Sequence, residues 1–164
     1  MILLFCLVVL SLALLAAAWT DLSSYTIPNR IGLAVAVVGL VAALDMGGWE
    51  GGLRQTGIAL ALLVAGAALF FFRVWGAGDA KLLAALGFWA PPEGLMVMIT
   101  WTAMSGGLLA LLLILARRIF KRNRWNLAVL EPKQGVPYAL AIDIGAAMMI
   151  LSGHSVIANT SLLG

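Results

Sequence analysis

The sequence predicts an all-α, polytopic integral membrane protein with six transmembrane helices, of which the fourth is short. Of its 164 residues, 63% are hydrophobic and only 10% are charged, whereas a soluble domain carries roughly a quarter charged residues. A core of this size cannot bury so much apolar surface, so lipid must cover most of it. The sequence contains no repeat and no long linker, and we interpret residues 1–164 as a single membrane-embedded domain.

Each predicted helix is an uninterrupted apolar run. The runs cover residues 2–19, 31–44, 57–72, about 80–90, 94–116 and 136–152. About 20 residues cross a hydrocarbon core, so the second and fourth runs are short for a span. The first run has no positively charged start and exceeds the usual roughly 7–15 apolar residues of a cleaved signal peptide, so we expect it to remain as a helix. Pro28 suits the first turn of the second helix.

The basic residues decide the orientation, because cytoplasmic loops are enriched in Lys and Arg. With six spans and both termini on the outer side, nine of the ten basic residues lie inside: Arg30, Arg73, Lys81, Arg117, Arg118, Lys121, Arg122, Arg124 and Lys133. If the fourth run instead dipped in and returned, the split would be at best seven to three. Five of the six tryptophans also fall at span ends, as expected for headgroup-level residues: Trp19, Trp49, Trp75, Trp89 and Trp125.

Topology accounts for most of the charged residues. Outer loops are predicted to hold Asp45, Glu50, Arg54 and Glu93, and the longest inner loop to hold Glu131 and Lys133. The basic cluster at 117–124 anchors the fifth span, so it does not indicate a nucleic-acid partner. The single Cys6 excludes an internal disulfide. We interpret the single His154 as an interfacial residue, and we expect neither a metal site nor a cofactor.

Two aspartates lie at junctions between a span and an inner loop. Asp79 follows Gly76 and Gly78 at the start of the fourth helix, where the glycines allow close approach of another chain. Asp21 follows the first span. Taken alone, Asp79 is equally well explained as a helix cap and Asp21 as a loop charge. The topology brings both to the inner surface, where they can meet.

Two neighbouring carboxyl groups cannot easily both ionise, so one of them keeps a proton. The charged member can then take a proton from water while the neutral member donates one to a carbonyl, which is the chemistry of aspartic proteases. From the nearest helix ends, we expect Asp79 to hold the charge and Asp21 the proton. Lys81 either biases this pair toward ionisation or anchors its helix.

Asp143 is a third carboxylate that needs an explanation, because charged residues within spans are costly and are usually functional or paired. It lies about seven residues into the sixth run, which is roughly 10 Å below the inner surface. At that depth we expect a structural or tuning role rather than membership of the pair.

The motifs resemble those of the type IV prepilin peptidases. They are Asp21 followed by Ile27, Pro28 and Asn29, then the Gly-x-Gly-Asp run from Gly76 to Asp79 continuing through Lys81, and a last span that opens with Val136, Pro137 and Tyr138. The resemblance covers nearly the whole chain. It is closest to the short members that serve Flp or tight-adherence pilus systems in bacteria, and archaeal preflagellin peptidases are similar but more distant.

The resemblance implies an intramembrane aspartyl protease of the bacterial inner membrane that cuts the basic leader from pilin precursors at the cytoplasmic face. Its two catalytic aspartates correspond to Asp21 and Asp79, with Gly76, Gly78, Lys81, Pro28 and Asn29 as supporting or substrate-binding residues. Long members of the family also N-methylate the new pilin terminus and carry an inner loop with paired cysteines. This chain lacks that loop, so we do not expect methyltransferase activity.

Two other classes of protein remain open from the residues alone. A small proton-coupled transporter would use Asp79 and Asp143 as relay sites, although beyond Asp143 its path would meet only hydroxyls and His154. A non-catalytic pilus assembly factor would tolerate loss of either aspartate. The sequence does not indicate the oligomeric state.

Overall fold

A computed structural model describes residues 1–73, 75–119 and 136–155, and all regular structure within these ranges is helical. The helices are α1 (Ile2–Ser24), α2 (Asn29–Phe71), α3 (Ala77–Leu86), α4 (Pro92–Ile119) and α5 (Ala139–Leu151). Within the described ranges, three helices (α1, α2 and α4) are long and apolar enough to cross a membrane. With 10 and 13 residues, α3 and α5 reach only about 15 and 20 Å, which is less than the roughly 30 Å hydrocarbon core.

Helix α2 turns back on itself at Gly48, whose backbone angles (φ 58°, ψ −157°) are not helical. We call residues 29–47 the first arm and residues 49–71 the second arm. The prediction of a loop between the second and third spans is therefore wrong, because the chain reverses at a single glycine, a residue that can adopt a positive φ. The charged residues that were expected in that loop lie in helical turns close to the reversal: Asp45, Glu50 and Arg54.

Contacts with α3 establish that the two arms run in opposite directions. At the start of α3, a Cβ on Gly66 would meet the Cβ of Ala80, and at its end a Cβ on Gly87 would lie 2.8 Å from the Cα of Ala59. The second arm is thus antiparallel to α3. The first arm is parallel to α3. Near the starts of the two helices Lys81 donates a hydrogen bond to Asn29, and further along the chain from each start Trp89 donates one to Val35.

Helices α4 and α5 are antiparallel and pack closely through glycine. A Cβ on Gly94 would meet the carbonyl of His154, and one on Gly106 would lie 2.8 Å from the Tyr138 ring. One end of the bundle therefore collects the ends of α1, the second arm and α4, together with the starts of the first arm, α3 and α5. We call this the carboxylate end, because Asp21 and Asp79 both lie there.

The outer surface of the bundle is apolar. Large side chains on different helices are mostly exposed, among them Leu15 at 69%, Val64 at 70% and Met104 at 62%. The core between the helices is also apolar and includes Leu10, Leu82, Leu86, Met98 and Ile142. A protein that is apolar both inside and outside is suited to lipid rather than water.

Two polar side chains in this core hold the helices together by hydrogen bonds to backbone carbonyls, and the sequence did not predict this role. Trp89, predicted to lie at headgroup level, is fully buried and donates from Nε1 to the Val35 carbonyl at 3.1 Å. Gln55 is 1% exposed. With its amide nitrogen turned toward the end of α3, it donates to the carbonyls of Gly87 and Ala90 at 3.2 and 3.1 Å. These bonds tie both arms of α2 to the segment that follows α3.

We expect Gln55→Met to lower the free energy of unfolding by about 1–3 kcal/mol, since it leaves two buried carbonyls without a donor. Leu60→Met is the matched control, because Leu60 is exposed on the same arm and its replacement should change stability by less than about 0.5 kcal/mol. Denaturant unfolding in bicelles measures both. Equal stability of the two variants would contradict the structural role of Gln55.

Candidate active site

Asp79 is the third residue of α3 and is 8% exposed. Its carboxyl group accepts a hydrogen bond from the backbone N–H of Gly76, the residue that caps the helix. A Cβ on Gly76 would lie 2.9 Å from Oδ2 of Asp79. The glycine therefore lets this side chain fold back onto the helix start, in the manner of the third residue of a capping box.

Asp21 lies in the last turn of α1 and is 6% exposed. The helix ends at Tyr25, which has a left-handed conformation (φ 53°) and donates its N–H to the carbonyl oxygen of Asp21. The carboxylate of Asp21 accepts a second hydrogen bond, from the N–H of Ala139 to Oδ2 at 2.9 Å. Since Ala139 is the first residue of α5, Asp21 is held at the start of a helix distant in sequence.

The structure brings Asp21 and Asp79 close enough to interact electrostatically. Burial, and then the charge of Asp21, raise the pKa of Asp79 to about 7, while the N–H of Gly76 acts in the opposite direction. A carboxyl group with such a pKa keeps its proton near neutral pH beside a charged neighbour, as a general acid must. The proximity of Asp21 and Asp79 that the topology predicted is thus present as an electrostatic interaction between them.

Asp143 lies closer to this pair than expected. Helix α5 begins at Ala139 rather than at 136, so Asp143 is one helical turn, about 6 Å, beyond the residue that binds Asp21. Its carboxyl group interacts electrostatically with Asp21, and its Oδ1 is buried with no hydrogen-bond partner among the described residues. Asp143 is therefore nearer to Asp21 than its place in the sixth run implied, and its structural or tuning role stays a prediction.

The Ile-Pro-Asn segment packs against the start of α3. A Cβ on Gly78 would lie 3.1 Å from the Cβ of Ile27, and Pro28 caps the first arm. Lys81 donates from Nζ to Oδ1 of Asn29 at 3.0 Å. These contacts explain why the two motifs occur together: one fixes the start of the first arm, and the other fixes the start of α3 beside it.

Two cavities flank α3. An open groove of about 490 Å³ lies between the two arms and α3, with Arg30 and Lys81 at the carboxylate end and apolar side chains along the rest. A smaller cavity of about 290 Å³ lies between α3, α4 and the start of α5, and its lining includes Trp75, Thr102 and Tyr138. Within the described ranges, no three His, Cys, Asp or Glu side chains converge as a metal site requires.

The sequence did not reveal the contact between Ala139 and Asp21. The donor is a backbone N–H on a residue with an ordinary side chain, so composition and motif carry no signal for it. The nearest hint was the start of the last span after Pro137, since helix starts expose unpaired N–H groups. Much of the expected inner loop, including the cluster after Ile119 and also Glu131 and Lys133, lies outside the described residues.

This fold and site define a class of protein: a helical membrane protein with interacting, buried carboxyl groups at one end of its bundle. The family model for the type IV leader peptidase family matches residues 8–111. The chain therefore belongs to the type IV leader peptidase family. The matched residues include Asp21 and Asp79, whereas α5, with Ala139 and Asp143, follows them.

Over 148 residues the chain is 31% identical to a protein of Bacillus subtilis (strain 168) named prepilin leader peptidase/N-methyltransferase. That alignment covers 88% of this chain and 54% of the relative, so the chain spans about half the length of that protein. No solved structure matches the chain. Together with the apolar helices, the family indicates an integral membrane protein.

Proposed function

We propose that this protein is an aspartic endopeptidase that removes the basic leader from type IV pilin precursors of the Flp type, with Asp21 and Asp79 as its catalytic residues. The observation that carries the proposal is the electrostatic interaction between these two buried carboxyl groups in a chain of the leader peptidase family. Its substrate would be a protein, and the reaction would require no cofactor.

The chemistry follows from one proton shared between two carboxyl groups. The charged member takes a proton from water, and the water oxygen attaches to the carbonyl carbon of the scissile bond while the neutral member donates its proton to the carbonyl oxygen. In the second step the C–N bond breaks as the leaving amine takes a proton from the carboxyl group that received one, and a hydroxyl of the intermediate gives its proton to the other carboxylate. A carboxylic acid and an amine are released, and the pair again holds one proton.

Six membrane-embedded segments fit the fold when the two arms of α2 count as the second and third, α3 as the fourth and α5 as the sixth, all in one domain. Both termini would face outward, and the carboxylate end would face the cytoplasm at the bacterial inner membrane. The basic residues support this orientation, because Arg30, Arg73 and Lys81 lie at the carboxylate end whereas Arg54 lies near the reversal at Gly48.

The short α3 also suits a protease that acts at the membrane surface. Helices shorter than the hydrocarbon core thin the bilayer locally, which lets water reach Asp79. A pilin precursor would place its apolar helix in the bilayer and its basic leader in the cytoplasm, so that the peptide bond between them meets the carboxylate end. We expect no N-methylation of the product, because the inner loop with paired cysteines is absent from the sequence.

The transporter hypothesis is less well supported by the interior of the bundle. A proton relay must continue from Asp143 to the opposite end, but the other buried polar side chains of the described residues are Gln55, Thr102 and Ser155. Gln55 already donates to backbone carbonyls. An assembly factor without activity would not require the aspartates at all.

The direct test is to reconstitute the purified protein in liposomes with a synthetic Flp-type pilin precursor and to follow the product by mass spectrometry. We expect a single cut between the basic leader and the apolar segment, and a product terminus without an added methyl group. An intact precursor in the presence of folded protein would overturn the protease, and pH-driven proton flux in the same liposomes would favour the transporter.

The packing of Gly78 on Ile27 gives a further prediction. Gly78→Val would push the Ile-Pro-Asn segment away from α3 and displace Asp79, and small displacements of catalytic groups cost about 100-fold in rate. The matched control is Gly32→Val, because a Cβ at Gly32 meets no atom within 4 Å. We expect leader cleavage to fall by about 10- to 100-fold in the first variant and to stay within about 3-fold in the second. Equal rates would contradict the role of this contact.

A further inference from the structure

Helix α5 contacts Asp21 through the backbone N–H of its first residue. The N–H of Ala139 donates to Oδ2 of Asp21 at 2.9 Å in a buried environment, and it is the first N–H of the helix. Unpaired N–H groups at a helix start carry partial positive charge and favour a carboxylate over a carboxylic acid. A hydrogen bond to a charged acceptor is also stronger than one to a neutral acceptor.

Asp143 lies on the same helix, one turn beyond Ala139. Residues four apart face the same side of a helix, and Asp143 interacts electrostatically with Asp21. Its buried Oδ1 has no donor among the described residues. An ionised carboxylate in such a position is costly, first because its oxygen is unpaired and second because Asp21 is nearby.

The described cations that α3 and α4 bring to this end are exposed: Lys81, which donates to Asn29, and Arg118 at the end of α4. The titratable groups that are buried or half-buried here are Asp21 on α1, Asp79 on α3, and the phenols of Tyr25 and Tyr138 at the end of α1 and the start of α5. Between Gly94 and Ala116, α4 carries no charged residue. Asp21 thus interacts with both of the other carboxyl groups, and the site accommodates one negative charge more easily than two.

We propose that α5 makes Asp21 the charged member of the pair, with Ala139 as a positioning residue acting through its backbone N–H and with Asp143 held protonated beside it. Asp79 then holds the catalytic proton. The catalytic meaning of this assignment rests on the proposed function. The assignment reverses the expectation that Asp79 holds the charge and Asp21 the proton. That expectation considered only the ends of α1 and α3 and not the start of α5. Asp21 would be the general base and Asp79 the general acid.

Infrared spectroscopy tests the assignment without any substrate. In wild-type protein reconstituted at pH 6, we expect carbonyl bands from two protonated carboxyl groups. One band should disappear in Asp79→Asn and the other in Asp143→Asn, whereas both should persist in Asp21→Asn. Loss of a band in Asp21→Asn, or an unchanged spectrum in Asp79→Asn or Asp143→Asn, would overturn the proposal whether or not the protein cleaves a pilin.

An amide-to-ester replacement at Ala139 tests the positioning role, since it removes the N–H and keeps the side chain. With Asp21 less able to hold its charge, the acid-side decline of cleavage should move to higher pH by about one pH unit, which makes cleavage up to roughly 10-fold slower along that decline. The same replacement at Ala141, also in the first turn of α5, should leave the pH profile in place. An unchanged acid side in the folded Ala139 ester would overturn the role of this N–H, while the infrared result would still stand separately.

Discussion

Asp79→Asn and Asp21→Asn are each expected to lower kcat/KM for leader cleavage by about 10³-fold or more, since each removes one half of an acid and base pair and such groups contribute up to about 10⁴-fold. Asparagine keeps the shape of the side chain but cannot exchange the proton. Neither variant should unfold the protein, because each replaces a buried carboxyl group by a neutral amide of similar volume.

Asp45→Asn is the control for this experiment. Asp45 is exposed beside the reversal at Gly48, at the opposite end of the first arm from the carboxylate end. We expect its cleavage rate to stay within about 3-fold of wild type, since exposed substitutions away from a site have small effects. If Asp21→Asn and Asp79→Asn cleaved the precursor as fast as Asp45→Asn does, Asp21 and Asp79 would not be the catalytic residues.

Cleavage by the wild-type protein should decline as the pH rises above about 7. Burial and the charge of Asp21 raise the pKa of Asp79 to about 7, so the pair keeps its one proton up to that pH and then loses it. Above it we expect kcat/KM to fall by up to about 10-fold per pH unit. The pH dependence of kcat/KM is measured in liposomes. If kcat/KM stayed constant up to pH 9, or if it already fell as the pH rose from 4 to 6, the result would contradict this state of Asp79.

The same proton makes the stability of the protein depend on pH. The ordinary pKa of an aspartate, near 3.8, is lower than that of folded Asp79, so the folded state binds the proton more tightly than the unfolded state. The stability from this proton is present below about pH 4 and is lost as the pH rises to about 7. Asp79→Asn cannot ionise, so relative to wild type it should gain stability between pH 4 and pH 8, by at most about 4 kcal/mol. Denaturant unfolding at both pH values measures the difference.

The sequence predicted the all-helical membrane class, because apolar runs and sparse charge are direct consequences of a lipid environment. It also placed Asp21 and Asp79 at one end of the bundle, because alternating directions of successive segments put both span junctions on the same side. It did not predict the sharp reversal at Gly48. A helix-compatible sequence on both sides of a glycine does not reveal that one positive φ replaces a loop.

The remaining features of the site depend on contacts between distant segments. Gln55 was overlooked because it carries no charge, although its amide holds the segment after α3. The proximity of Asp143 to Asp21 depends on where α5 begins, and helix boundaries are the least reliable part of a sequence-based prediction. The contact from Ala139 uses a backbone group, which leaves no trace in the identity of the residue.

The central claim is that Asp21 and Asp79 act as one unit, and a double-mutant comparison tests it most directly. Leader cleavage would be measured in liposomes for wild type, Asp21→Asn, Asp79→Asn and the variant that carries both changes. Because groups that act as a unit are strongly non-additive, we predict that the double variant will be no slower than either single variant. Losses that multiply in the double variant, or substantial cleavage by either single variant, would contradict a catalytic pair.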